Sequence, residues 1–184
     1  MALTINGTNI PASGKVVCNG TSLKQLNIGG TKVWQNNLDV LAMDKWVLTH
    51  TEGVVSKWSH SPTQLYLDAA SPGGGWNYLI VRSNALDLTG FTKLTVTWNN
   101  EAGGSINHYG FWGLSTNSNL KYKDWMDSNI NPKQDSVHNG SYGTYSMTIP
   151  ESMRKNGVYF YAEKHAYATN SNVGKVWYTQ ILIS

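Results

Sequence analysis

Three stretches of this chain set an aromatic ring beside a polar side chain in a Gly- or Asn-rich setting. They are Gly75-Trp76-Asn77-Tyr78, Asn107-His108-Tyr109-Gly110-Phe111-Trp112 and Tyr122-Lys123-Asp124-Trp125, with His138-Asn139-Gly140-Ser141-Tyr142 as a companion to the third. Rings and short polar groups in this pattern serve recognition rather than bond breaking. A flat indole or phenol covers the C–H-rich face of a pyranose while neighbouring Asn, Asp, His or Gln side chains take its hydroxyls. The candidate set is therefore Trp76, Tyr78, His108, Tyr109, Trp125 and Tyr142, with Trp76, Tyr109 and Trp125 expected at the surface. Each ring has a competing role as core. Phe111 and Trp112 alternate to opposite faces of a strand, so one of them is interior, and Trp58 and Trp98 read as interior too. His165-Ala166-Tyr167, expected in the last long loop, is a weaker addition to the set.

Bond-breaking chemistry finds less support. There is no Gly-x-Ser-x-Gly elbow, no His-Glu-x-x-His helix and no P-loop, since Gly73-Gly74-Gly75 lacks a following Lys-Ser/Thr. The five histidines, His50, His60, His108, His138 and His165, are dispersed, and none pairs with another at metal-ligand spacing. No dense Asp cluster suggests calcium, so no metal and no cofactor is expected. Glycoside hydrolysis needs two carboxyl groups across a cleft, one of them with a raised pKa. Glu101 lies in a turn sequence, and Glu163 is expected near a strand end beside Lys164, which would keep it ionised. Neither has an identifiable partner, and the chain is read as non-enzymatic.

Composition narrows the class. Charged residues make up 14% of the 184, against roughly 25% in an average globular protein, and the net charge is +3. Arg82 and Arg154 are isolated and the lysines scattered, so the basic stripe of a nucleic-acid binder is missing. Eight Trp and ten Tyr against three Phe favour rings with a polar handle, as binding surfaces do. The single cysteine, Cys18, excludes an internal disulfide framework. The first residues have neither a basic n-region nor an apolar h-region, and no run approaches the ~20 apolar residues that span a bilayer. The polar, Asn/Gly/Ser/Thr-rich composition is that of an extracellular β protein, yet nothing directs export. A virion component, made in a host cytoplasm and released by lysis, fits both facts, and so does a chain whose export signal has been trimmed.

Leu94, Val96 and Trp98 alternate with Lys93, Thr95 and Thr97, the period of two of a half-buried strand. The same grammar recurs at 46–49, 64–68, 78–82, 109–114, 144–149, 158–163 and 175–183. About eight strands separated by turn residues predict a β-sandwich or jelly roll. Helix is confined to a turn or two over 120–128 and one turn opened by Pro150 and stopped at Asn156-Gly157. Residues 1–35 repeat the form apolar, Asn/Gly, Gly, Thr, any, apolar around Asn6-Gly7, Asn19-Gly20 and Gly29-Gly30. Those pairs are strong hairpin turns, because both central residues take positive φ. So small a unit buries little by itself and needs a neighbour, which makes 1–35 the expected attachment module and 38–184 the sandwich domain; the alternative is that these hairpins are the first strands of a single sandwich.

The Asp87-Leu88-Thr89-Gly90-Phe91 turn into an alternating strand, then Ile149-Pro150-Glu151, Gly157-Val158-Tyr159-Phe160-Tyr161 and the closing run Val176–Ile183 together resemble the galactose-binding-like or carbohydrate-module jelly roll. The front segment ending in Gly29-Gly30-Thr31-Lys32-Val33-Trp34 is similar to short hairpin modules of tailed-phage structural proteins. The resemblance implies a virion structural protein that docks on other virion proteins through residues 1–35, forms a homo-oligomer and displays its sandwich to host-surface glycans. Two alternatives stand beside it: a capsid decoration, head-fibre or tail protein without a ligand, and a bacterial carbohydrate-binding module. No partnership with nucleic acid and no membrane insertion is expected.

Overall fold

A computed structural model describes the backbone of residues 3–5, 8–10, 17–18, 21–22, 25–28, 31–35, 37–52, 57–69, 76–100, 107–121, 133–138, 142–167 and 174–184, with side chains for 37–52, 57–69, 77–100, 110–121, 142–165 and 174–184. Its front segment is three separate hairpins: β1 (Leu3–Ile5) with β2 (Thr8–Ile10), β3 (Val17–Cys18) with β4 (Thr21–Ser22), and β5 (Gln25–Ile28) with β6 (Thr31–Gln35). Ile5 opposes Thr8, Cys18 opposes Thr21 and Ile28 opposes Thr31, while the Asn-Gly and Gly-Gly pairs between them lie outside the described residues.

The remaining strands are β7 (Leu38–Asp39), β8 (Trp46–Glu52), β9 (Lys57–Ser61), β10 (Gln64–Asp68), β11 (Trp76–Ser83), β12 (Leu86–Asp87), β13 (Lys93–Asn100), β14 (Asn107–Ser115), β15 (Lys133–His138), β16 (Tyr142–Thr148), β17 (Asn156–Tyr167) and β18 (Lys175–Ile183). They form two antiparallel sheets, ordered β16-β13-β18-β10-β9 and β15-β14-β17-β11-β8, with β7 added beside β18 and β12 beside β17. The protein is thus all-β, a hairpin module followed by a jelly-roll sandwich. The sequence signals missed β9 and β15, which lack clean apolar alternation, and the two-residue β7 and β12. Of the helical segment expected over 120–128, Leu120 and Lys121 are not helical and the rest lies outside the described residues. Pro150 does lead a single 3-10 turn, Glu151–Met153, and Gly157 takes φ 81° just after it.

Between the sheets lie Leu65, Leu67, Leu94, Val96, Trp98, Val176, Tyr178, Ile181 and Ile183 from one side. Leu79, Val81, Trp112, Leu114, Val158, Phe160 and Ala162 meet them from the other. Trp98 and Trp112 are the interior rings the sequence points to, while Trp58 is partly buried against the core. β18 shows how register protects this layer. Thr97 pairs with Gln180 but Trp98 with Tyr178, so Thr179 is an extra residue. That bulge flips the alternation, and Val176 and Tyr178 before it face the same core as Ile181 and Ile183 after it. At one end Lys164, fully buried, donates from Nζ to Asn100 Oδ1 at 2.6 Å and ties β17 to β13.

Candidate functional site

β17 runs through the middle of its sheet, and its two faces differ in chemistry. Val158, Phe160, Ala162 and Lys164 point between the sheets; Tyr159, Tyr161, Glu163 and His165 therefore take the outer face. Register aligns neighbours in rows across that face. Tyr109 of β14, His165 and Tyr78 of β11 form one row, with Glu52 of β8 beyond Tyr78 and His138 of β15 beyond Tyr109. Phe111, Glu163, Ile80 and His50 form the next. Asn107, Tyr167 and Trp76 share a row at one end, and Gly113, Tyr161 and Arg82 one at the other.

The second of these rows holds the unusual group. Glu163 is fully buried, and neither carboxyl oxygen has a hydrogen-bond partner among the described residues. His165 Nδ1 lies 3.6 Å from Oε1, beyond hydrogen-bond length. Burial pushes the Glu163 carboxyl well above its ordinary range. Burial, reinforced by the charge of Lys164, pulls His165 down to about 3. Both shifts favour the uncharged forms and disfavour an ion pair between the two groups. The expectation of an ionised Glu163 near a strand end is corrected here. It sits mid-strand, and Lys164, its chain neighbour, points to the opposite face because successive strand residues must. His165-Ala166-Tyr167 likewise belongs to β17 and not to a loop.

Rings pack around His165: Tyr78 at 5.5 Å between centroids and Phe111 edge-on at 5.0 Å. Tyr178 reaches across from the other sheet to donate to Phe111 O at 3.4 Å. Its hydroxyl is held protonated, first by burial and then by Glu163.

Residues 116–121 fold back over the far end of the face. Tyr161 Oη donates to Asn117 O at 2.7 Å and accepts from Leu120 N at 3.3 Å. Arg82 donates from Nε to Ser118 O at 2.8 Å, with its guanidinium 4.6 Å from the Tyr159 ring centroid. Leu120 is thereby buried against Ile80 and Tyr161. Tyr161→Phe would leave the Leu120 amide and the Asn117 carbonyl without this partner, with an expected loss of about 1–3 kcal/mol in a urea titration. A midpoint unchanged from wild type would show that the clamp is not stabilising.

Of the sequence candidates, Trp76, Tyr78 and Tyr109 hold register positions in these rows; Tyr78 is buried, and the side chains of Trp76 and Tyr109 lie outside those described. His108 holds the alternate register position, level with Ala166 and the buried Asn77. Trp125 lies outside the described residues. Tyr142 is exposed (82%), but on β16 of the other sheet, so it is not part of this cluster. Glu163, Phe111 and Tyr161 were not among the candidates. Carrying the alternation of β17 on to Tyr167 is the signal that finds Glu163 and Tyr161, since Tyr159, Tyr161, Glu163, His165 and Tyr167 alternate along one strand. Among the described residues no three His, Cys, Asp or Glu side chains gather as metal ligands would.

No protein-family model matches the chain, and no curated protein matches it in sequence. Distant likenesses are found among solved structures. The glycoside hydrolase domain of Endo-D from Streptococcus pneumoniae is 15% identical with TM-score 0.48, over 76% of this chain. This chain spans only 21% of that one. A cleaved adhesin domain of Lys-gingipain from Porphyromonas gingivalis is 16% identical with TM-score 0.43, over 81% of this chain and 98% of that one. The CBM27-1 module of Caldicellulosiruptor saccharolyticus, solved with mannohexaose, is 12% identical with TM-score 0.45, over 80% and 96%.

Proposed function

We propose that the chain is a non-enzymatic, glycan-binding structural protein of a phage virion. The observation that carries the glycan reading is the register of β14, β17 and β11. It sets Trp76, Asn107 and Tyr167 in one row of the sheet and Tyr109 in the next, beside the half-buried Phe111. Rings for the C–H faces of a sugar and short polar groups for its hydroxyls are the two parts such a site requires. Binding fits this face better than hydrolysis. Glu163 is sealed, and Glu52, the other carboxylate there among the residues with described side chains, stands two strands away, largely exposed, 3.8 Å from His50.

The attachment role rests on the front hairpins. Units of two to five residues per strand bury too little to stand alone, which favours a host surface for them on a larger assembly. Many copies on one particle would turn a weak site into avid attachment.

Glycan-array binding by the intact chain is the test. Trp76→Ala should weaken any sugar bound by about tenfold or more. No binding to any glycan would sink the reading, and binding indifferent to Trp76 would move the site elsewhere. Labelled antibody against the chain should decorate intact particles in electron micrographs; bare particles would remove the virion assignment.

A further inference from the structure

We infer that a second copy of this chain docks on the edge of β16, which no described strand covers, antiparallel and about a two-fold axis, so that the sheet continues from one molecule into the next. A strand edge leaves a row of unpaired amides and carbonyls, and proteins guard such edges with charges, prolines, bulges or brevity. The sandwich has four edges, and three are guarded. β8 carries a bulge against β11 together with His50 and Glu52. β15 carries a bulge against β14, with Lys133 and Asp135 in its sequence. β9 is five residues long and begins at Lys57.

β16 has none of these devices. Its seven residues, Tyr142-Gly143-Thr144-Tyr145-Ser146-Met147-Thr148, include no charge and no proline, and they pair with β13 in unbroken register. It also carries Tyr142 and Tyr145, two of the most exposed large apolar side chains among the described residues, at 82% and 43%. Tyrosine is enriched at the centres of protein interfaces.

The strand is suited to pair with itself. In an antiparallel pair, opposed residues must both turn their amides toward the partner or both away, so a strand meeting its own copy pairs residues of the same parity. With Tyr145 on the axis, Thr144 faces Ser146 of the second copy, Gly143 faces Met147 and Tyr142 faces Thr148. The outer face of this sheet already holds a hydroxyl ladder. Thr97 Oγ1 bonds Thr144 Oγ1 at 2.8 Å, Thr95 Oγ1 bonds Ser146 Oγ at 2.8 Å, and Thr97 reaches Gln180 Oε1 at 3.4 Å. The Thr144–Ser146 rungs of the dimer extend that ladder across the axis. On the inner face the two Tyr145 rings meet, and they close the open side of the core where Tyr145 already touches Trp112 edge-on at 6.2 Å.

A pairing of seven residues a side falls below the ~1,200 Å² typical of stable complexes, so the dimer is weak and reversible. Sedimentation of the full chain across a concentration series should show the average mass rising from monomer toward dimer. The Thr144→Lys/Ser146→Lys double variant, whose lysines oppose each other in this register, should raise the dissociation constant by about tenfold or more while keeping the wild-type circular dichroism. A second measurement does not depend on that variant folding. With Cys18→Ser as background, Tyr145→Cys should cross-link into a disulfide dimer on mild oxidation, and Lys57→Cys on the β9 edge should not. Purely monomeric sedimentation, self-association unmoved by the lysines, or equal cross-linking at both edges would overturn the inference.

Discussion

Replacing Trp112 with alanine is expected to lower the unfolding free energy by about 3–5 kcal/mol, a large share of the roughly 5–15 kcal/mol a domain possesses. The indole is fully buried at the centre of the sandwich. It stacks on Phe160 at 6.3 Å, tilts against Trp98 at 6.3 Å and meets Tyr145 edge-on at 6.2 Å, so it joins both sheets and one open edge. A cavity of that size between two sheets collapses only partly, because each sheet is held by its own hydrogen-bond ladder. Trp112→Phe should cost less. The smaller ring keeps most contacts, and it removes a buried Nε1–H that has no acceptor among the described residues. Urea unfolding followed by tryptophan fluorescence measures both. Equal losses for the two variants would contradict the packing argument.

The second large effect is on the pH profile of stability, and the two buried groups work in opposite directions. Glu163 in the folded chain holds its proton above the ordinary value of 4.5, because burial penalises the charged form. Its contribution is complete below 4.5 and is lost as the pH rises toward the folded value, since the unfolded chain ionises first. His165 is the reverse case: its folded value is pulled down from 6.5 to about 3. Its contribution is complete above 6.5 and is lost as the pH falls toward 3. Stability should therefore peak between these limits. Glu163→Gln should flatten the alkaline limb and leave the protein more stable than wild type at neutral pH, by more than the roughly 0.5 kcal/mol of an ordinary surface change. His165→Gln should flatten the acid limb instead. Denaturation midpoints measured across the range decide the matter, and profiles that merely run parallel to wild type would reject the buried neutral pair.

The strands were legible because alternation is local. Leu94, Val96 and Trp98 against Lys93, Thr95 and Thr97 require no partner to be read, and the bounds Gln64–Asp68 and Lys175–Ile183 follow from the same pattern. The strand pairings Ile5 with Thr8, Cys18 with Thr21 and Ile28 with Thr31 were legible too, because Asn-Gly and Gly-Gly pairs between short apolar runs favour hairpins. Grouping was not legible. Trp76 and Tyr109 stand 33 positions apart, and only the register of β17 against β11 and β14 sets them in adjacent rows on either side of β17. Tyr142, which the chain order places close to His138, turns up on the other sheet, because β15 and β16 belong to different layers.

By itself the sequence determined an all-β chain and, where the period of two runs unbroken, which residues of a strand share a face; in β18 the bulge at Thr179 overrides that period. The tertiary structure alone decided which strands are neighbours and which face of each looks outward. From that it favoured the uncharged forms of Glu163 and His165 and left an edge of β16 that no described strand covers. Charge state and exposure depend on what surrounds a group, and those surroundings come from residues far away along the chain.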